Sequence, residues 1–415
     1  MKMNNRVVIT GMGVVSPIGN DVDTYWNSLK EGKCGIKVLP EELQIEGTNV
    51  HVAGTVTDFE VEKYIDKREA RRLARFSQFA IYASKQALEN AKLNMEEEDA
   101  HKVGVMIGSG IGALDVIEQE TLKLHEKGAK RVSPLFVPMA IVNMAAGNVA
   151  IHTGAKGVCS TVVTACASGT HSIGEAFRYL KQGFQEVMLA GGSEACITPL
   201  GIAGFNALTA LTTSEDPMRA SIPFDKERSG FVMGEGAGVL VMETLEHAKK
   251  RGASIIAEVV GYGATGDAHH ITTPAPGGVG AARAMEEALR EAGIASEAVN
   301  YINAHGTSTQ YNDLYETMAI QSVFGEATKV AVSSTKSMTG HLLGAAGAIE
   351  AIAIAKAVEE DFIPPTANYQ VRDEACPLDY VPGEGRDEKV QYAMSNSLGF
   401  GGHNATLIFK KWEEA

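Results

Sequence analysis

Cysteine is scarce in this chain, and its five copies (Cys34, Cys159, Cys166, Cys196, Cys376) never form a C-x-x-C pair. That spacing argues against a zinc cluster or a disulfide framework and for reduced thiols in a reducing compartment. Positive charge is also short: 37 Lys and Arg against 51 Asp and Glu leave a formal charge of −14. A general nucleic-acid binder needs a basic face to neutralise phosphates, so that class is disfavoured. Long apolar runs are missing too. The most apolar stretch, "GAAGAIEAIAIAKAV", is interrupted by Glu350 and Lys356 and falls short of the ~20 residues a membrane span needs. The opening "MKMNNRVVITGMGVVSPIGN" lacks a small-residue cleavage pattern and is β-branched, which reads as a buried first strand rather than a signal peptide. A cytoplasmic protein with no membrane association is expected.

With 45% apolar and 21% charged residues, the 415-residue chain has the composition of a large globular fold. Short β-branched runs alternate with helical patterns from end to end. Strands are expected at "RVVITG", "VGVMIGS", "TVVTA", "EVMLAGG", "GVLVMET", "IIAEVVGYG", "VNYINA", "VAVSST", "YAMSNS" and "ATLIFKK". Helices are expected near 69–92, 136–151, 168–182, 281–292, 313–323 and 342–358. The alternation predicts an α/β protein with largely parallel, buried sheets. A strand running into G-x-G occurs twice, in "VITGMG" and "EVVGYG", which hints at duplication with a join near "EHAKKRGA". The halves are taken as 1–252 and 253–415. "GMGVVSPIG" is a poor dinucleotide fingerprint, because Ser16 holds the third glycine position and Pro17 follows; its glycines are read as turn residues.

Three segments carry possible chemistry. In "TVVTACASGTHSIGEAF", Cys166 follows a strand pattern and precedes a helix pattern, and exposed N–H groups at a helix start favour a thiolate. A packed core thiol is the competing reading. "NYINAHGTSTQYND" places His305 after a strand in a turn rich in hydroxyls, and "SSTKSMTGHLLGAAG" places His341 before a run of small residues. One strand-end histidine is commonly structural; two of them with a strand-to-helix Cys point to thioester or acyl chemistry. Elsewhere, adjacent His269 and His270 lack further ligands for a metal site. Cys159 reads as a packed strand-end thiol.

These segments, with "PFDKERSGFVMGEGAG" and "SNSLGFGGHNATLIF", resemble the β-ketoacyl-acyl-carrier-protein synthases, most closely the elongating members of bacterial type II fatty acid synthesis. The resemblance runs from the first strand to the last. It implies a thiolase-like fold, with two duplicated α/β halves forming a five-layered αβαβα core, and a homodimer. It implies a ping-pong condensation without metal or other cofactor, the phosphopantetheine arm arriving on acyl carrier protein. Cys166 matches the acyl-accepting nucleophile. His305 and His341 match the histidines that bind the malonyl thioester carbonyl and stabilise its enolate, and Lys336 matches a lysine beside the second histidine. Phe400 matches a gatekeeper whose N–H, with that of Cys166, forms the oxyanion hole. Thr307 and Thr309 match hydroxyls that bind the arm, Thr272 and Thr273 lie in a loop expected along its channel, Ile111 matches a residue of the acyl pocket, and Phe205 belongs to a second gate loop.

The sequence departs from the family at Gln310, where Pro is usual, with Tyr311 and Asn312 following; Leu398 stands where some relatives carry Phe. Arg68, Arg71, Arg72 and Arg75 follow i, i+3, i+4, i+7 spacing and are expected on one helix face. In the family the positions of Arg68, Arg71, Arg72, Lys130 and Arg131 surround the tunnel mouth, which implies docking of an acidic carrier protein. A chain-length factor would lack the nucleophile, a thiolase would add a late Cys, and an initiating synthase would place Asn at His341. None fits the residues present.

Overall fold

The computed structural model describes residues 4–414. Five strands of the ten-stranded sheet belong to the first half: β1 (Val7–Val15), β2 (Val103–Gly108), β3 (Cys159–Ser160), β4 (Val187–Glu194) and β5 (Gly236–Thr244). The other five come from the second half: β6 (Ala257–Gly266), β7 (Tyr301–Asn303), β8 (Ala331–Ser333), β9 (Tyr392–Gly399) and β10 (His403–Lys411). The spatial order is β8-β7-β9-β10-β6-β1-β5-β4-β2-β3. Counted within each half, the order third-second-fourth-fifth-first is the same, and so are the directions. β2 is parallel to β3 and β4, while β5 is antiparallel to β4 and β1. β7 is parallel to β8 and β9, while β10 is antiparallel to β9 and β6. The halves join where β1 pairs with β6, Val7 opposite Val259.

Helices complete five layers. α1 (Arg75–Ala91) covers the outer face of the first half's strands, and α3 (Val279–Ala292), with α4 (Gln310–Phe324) packed on it, covers that of the second half's. Between the two sets of strands lie α2 (Ser168–Lys181) and α5 (Ala346–Glu360), packed on each other. α5 touches strands of both halves, so it is apolar nearly all round rather than along one stripe. Each fully buried Ile or Leu of this central layer, such as Ile349 and Ile352, contributes about 1.5–3 kcal/mol by leaving water. This is the thiolase-like αβαβα core.

The duplicated G-x-G has a packing role rather than a turn role. A Cβ on Gly11 would lie 2.3 Å from the Ala87 carbonyl of α1, and one on Gly261 would lie 2.3 Å from the Ala288 carbonyl of α3. Each outer helix thus rests directly on the middle of the first strand of its half.

Other local expectations need correction. The sheet is mixed rather than largely parallel. "TVVTA" is not a strand: pairing stops at Ser160, since β3 is an edge with only β2 beside it. Cys159 is accordingly exposed rather than packed. The helix expected over 69–92 is broken; Lys67–Ala70 forms a short helix, and α1 starts at Arg75 after an extended Ala74. Arg75 therefore leaves the face shared by its neighbours and turns inward to pair with Glu235 at 2.7 Å. The 136–151 helix is likewise split into Phe136–Ala140 and Met144–Thr153.

Candidate active site

Cys166 sits in a single 3-10 turn, Ala165–Ala167, that feeds directly into α2. The elbow is sharp: Ala165 adopts φ +50°, a left-handed conformation that costs a non-glycine residue about 1–3 kcal/mol. Ser168 holds it, its hydroxyl donating to Ala165 O at 2.6 Å and accepting from Thr164 N at 2.9 Å. Gly399, at the end of β9, approaches closely enough that a Cβ there would lie 3.3 Å from Cys166 N. The loop after it brings Phe400 to the thiol.

The helix start does not make Cys166 a ready thiolate. Burial pushes the thiol up to about 12; Lys336 lowers it, Glu194 raises it, and the backbone N–H groups of Phe400 and Cys166 lower it. The expectation of a depressed thiol pKa is therefore corrected: desolvation outweighs the helix dipole at this buried sulfur. Those two N–H groups lie close enough to the sulfur to favour its charged form.

The second half supplies imidazoles. His305 follows β7, and His341 follows the short helix Lys336–Thr339 that leaves β8. Their rings meet edge to face with centroids 5.2 Å apart, and Phe231 packs edge-on against His341 at 5.4 Å. Burial first, and the Lys336 ammonium second, push both rings well below the usual histidine value, so both are neutral at pH 7. Lys336 is itself buried and paired with Glu350 of α5. Glu316 of α4 fixes the His305 turn by accepting from His305 N and Gly306 N, each at 2.8 Å.

One cavity of about 450 Å³ unites these groups. Cys166, His305, His341, Phe400, Phe205, Leu398, Thr307, Thr309, Thr272 and Thr273 all line it, as do Gln310 and Tyr311 near the threonine turn. Thr307 and Thr309 share a hydroxyl hydrogen bond of 2.9 Å. Ile111 is not in that lining; it packs against the apolar cluster that contains Cys166, as Phe205 does. Arg68, Arg71 and Arg72 are exposed, and Lys130 and Arg131 line a separate shallow basic depression with Lys123 and Lys127. His269 and His270 are exposed, and His270 Nδ1 accepts from Thr272 N and Thr273 N, which orders the loop.

Glu194, the last residue of β4, went unread in the sequence. Fully buried, it accepts from Gly110 N at 2.6 Å, Gly112 N at 3.0 Å, Ser109 Oγ at 2.9 Å and, across the halves, Gly344 N at 3.0 Å. It ties the loop after β2 to the turn just beyond His341. Its only sequence signal is a lone carboxylate ending an apolar strand in "VMLAGGSEA".

Comparison with known proteins agrees with this geometry. The profile described as "Beta-ketoacyl synthase, N-terminal domain" matches residues 4–248, and "Beta-ketoacyl synthase, C-terminal domain" matches 256–370. The 3-oxoacyl-[acyl-carrier-protein] synthase 2 of Staphylococcus aureus (strain COL) is 54% identical over 414 residues, covering 100% of each chain to the nearest percent. That of Synechocystis sp. is 51% identical over 98% of each. A ketosynthase solved in complex with its type II polyketide acyl carrier protein superimposes with a TM-score of 0.91 at 36% identity, covering 99% of this chain and 100% of that one.

Proposed function

The chain belongs to the β-ketoacyl synthase family and is a condensing enzyme of fatty acid synthesis; from that premise we propose how its residues divide the work. Cys166 attacks the thioester of an acyl-carrier substrate, the carrier thiol leaves, and the acyl group stays on Sγ. Sulfur suits this step because it both attacks and leaves a thioester readily. The Cys166 and Phe400 N–H groups take the oxyanion of the tetrahedral intermediate.

Malonyl-carrier then enters along Thr272, Thr273, Thr307 and Thr309. Neutral imidazole N–H donors of His305 and His341 hold its thioester carbonyl while the malonyl C–C bond breaks and CO2 departs. The electron pair becomes an enolate, whose carbon attacks the acyl-Cys166 carbonyl and expels the thiolate. One donor of this kind is worth about 3–4 kcal/mol of transition-state stabilisation. Burial keeps both imidazoles unprotonated, and Lys336, held by Glu350 outside the cavity lining, adds to that effect. No cofactor of the enzyme's own is needed in this scheme, because the leaving CO2 drives carbon–carbon bond formation.

The carrying observation is that a thiol and two neutral imidazoles face one cavity from opposite halves, with Phe400 lining it beside them. We propose acyl carrier protein as the partner, docking on Arg68, Arg71, Arg72, Lys130 and Arg131. We also propose a homodimer through the open edge of β3, where Cys159 and Ser160 are exposed and Val163 is 52% exposed. A cytoplasmic setting fits the free thiols; no helix among the described residues is long and apolar enough to cross a membrane. The direct test is extension of acyl-carrier by malonyl-carrier in purified enzyme without nicotinamide, with one CO2 released per product. Absence of a β-keto product would overturn the reading.

A further inference from the structure

The motif "PFDKERSGF" and the unusual Gln310 have no part in the scheme above, yet the structure brings them together. Ile222–Phe231 belongs to the first half and lies against the turn His305–Asp313 of the second. Ile222 N donates to Ser308 Oγ at 3.0 Å, Gly230 N to Ser308 O at 3.0 Å, and Phe224 N to Asp313 Oδ2 at 2.9 Å. Arg228 forms the centre of this clasp. Its guanidinium, 3% exposed, donates to Asp373 at 2.6 Å and to Asp225 O at 2.9 Å, and lies 3.8 Å from buried Asp313. Its remaining N–H groups reach two carbonyls of the threonine turn: Nε to Thr309 O at 3.3 Å and Nη2 to Gln310 O at 3.2 Å. Gln310 returns the contact, its side-chain amide donating to Arg228 O.

A buried guanidinium flanked by two carboxylates is costly to assemble, and a planar fork satisfies several oxygens at once where an ammonium cannot. Here two of those oxygens belong to the backbone that carries Thr309 and leads back to Thr307. His305 and Gly306, by contrast, are anchored separately by Glu316. The clasp therefore acts on the hydroxyl pair rather than on the imidazole.

We propose that Arg228 is a positioning residue for the substrate arm, fixing the Thr307 and Thr309 hydroxyls through the Thr309 and Gln310 carbonyls, with Gln310 locking the pair. The inference rests on the assignment of those hydroxyls to the phosphopantetheine arm. Gln310 opens α4, where its own backbone N–H has no intrahelical partner to lose, so its side chain is free to serve the lock. Proline at this position could start the helix equally well but could not donate to Arg228 O.

The test compares malonyl-pantetheine with the malonyl thioester of ethanethiol, which lacks the arm, in wild type, Arg228→Lys and Gln310→Ala. Decarboxylation rates and thermal midpoints are measured together. Arg228→Lys is expected to raise KM for malonyl-pantetheine about tenfold with kcat within twofold, while kcat/KM for the armless thioester falls less than threefold. Gln310→Ala is expected to raise the same KM about threefold, and it keeps the test open if Arg228→Lys does not fold. Equal losses on both substrates, or an unchanged KM in both folded variants, would overturn the positioning role. If wild type itself shows no preference for the pantetheine substrate, it is the assignment of the hydroxyls that fails.

Discussion

The two strand-to-helix junctions at the centre of the molecule are built alike and carry different chemistry. β3 leads through a 3-10 turn into α2, and β8 leads through the Lys336–Thr339 helix and a 3-10 turn into α5. Each 3-10 turn opens on a left-handed non-glycine residue, Ala165 at φ +50° and Leu343 at φ +49°. Each helix fills the middle layer. The first junction places a thiol at its turn; the second places an imidazole just before its turn and buries the Lys336–Glu350 pair behind it. Duplication thus supplies two rigid helix starts facing one cavity, and single residues decide which becomes nucleophile and which becomes enolate stabiliser. The loops before them differ as well. After β7 the turn carries His305, held by Glu316; after β2 the corresponding loop carries no histidine and wraps Glu194 instead.

Removing the cargo of the first junction gives the largest effect. Cys166→Ala abolishes condensation, with a loss on the order of 10⁴-fold or more, and leaves the thermal midpoint within a few degrees because only a sulfur is lost. Malonyl decarboxylation, which uses the second half, persists. Retained condensation in a chain-extension assay would break the division of labour. On the second junction, His341→Ala, like His305→Ala, slows decarboxylation by about 10²–10³-fold, the cost of one oxyanion donor. Acylation of Cys166 continues, and mass spectrometry of the intact protein reads it directly.

Much of this comparison was legible before the structure. Cys166, His305 and His341 stood out because each interrupts a strand-to-helix pattern with small residues and hydroxyls, and the two G-x-G strands signalled duplication. What stayed hidden depended on contacts between distant segments. Arg75 fits the spacing of its neighbours, yet Glu235, 160 residues away, draws it inward. The β-branched residues after Ser160 have strand propensity but no partner strand on that side. The thiol pKa follows from burial, which local sequence does not report, and Glu194 matters through Gly344, 150 residues away.

Glu194 also sharpens the comparison, because it links the first half to the second junction. Glu194→Gln replaces one acceptor oxygen with a donor facing backbone N–H groups, destabilising the fold by about 1–3 kcal/mol, seen as a lower thermal midpoint. Its negative charge raises the Cys166 thiol pKa, so its removal lowers that pKa and speeds iodoacetamide alkylation at pH 8. Unchanged alkylation would detach Glu194 from the nucleophile.

The histidines make a pH prediction. Their pKa values are lowered in the folded state, so the unfolded chain takes up protons first as pH falls below about 6.5. Their contribution to stability is complete above that value and declines below it, while the decarboxylation rate keeps no inflection near 6.5. An inflection there would mean imidazolium groups. The smallest effect lies farthest from both junctions: reversing charge at Arg71 and Arg72 raises KM for carrier-bound substrates several-fold at low salt and less at high salt, leaving pantetheine substrates alone. Equal effects on both would remove the docking surface from the account.

The central claim, one acyl chain held by the first half and released only through the second, is tested most directly by following the acyl-enzyme itself. Enzyme loaded from acyl-carrier is mixed with malonyl-carrier and the adduct is followed by peptide mass spectrometry in wild type, His305→Ala and His341→Ala. The account predicts acyl on Cys166 alone, vanishing with CO2 release in wild type and persisting in both histidine variants. An adduct on another residue, or one discharged equally fast in all three proteins, would contradict it.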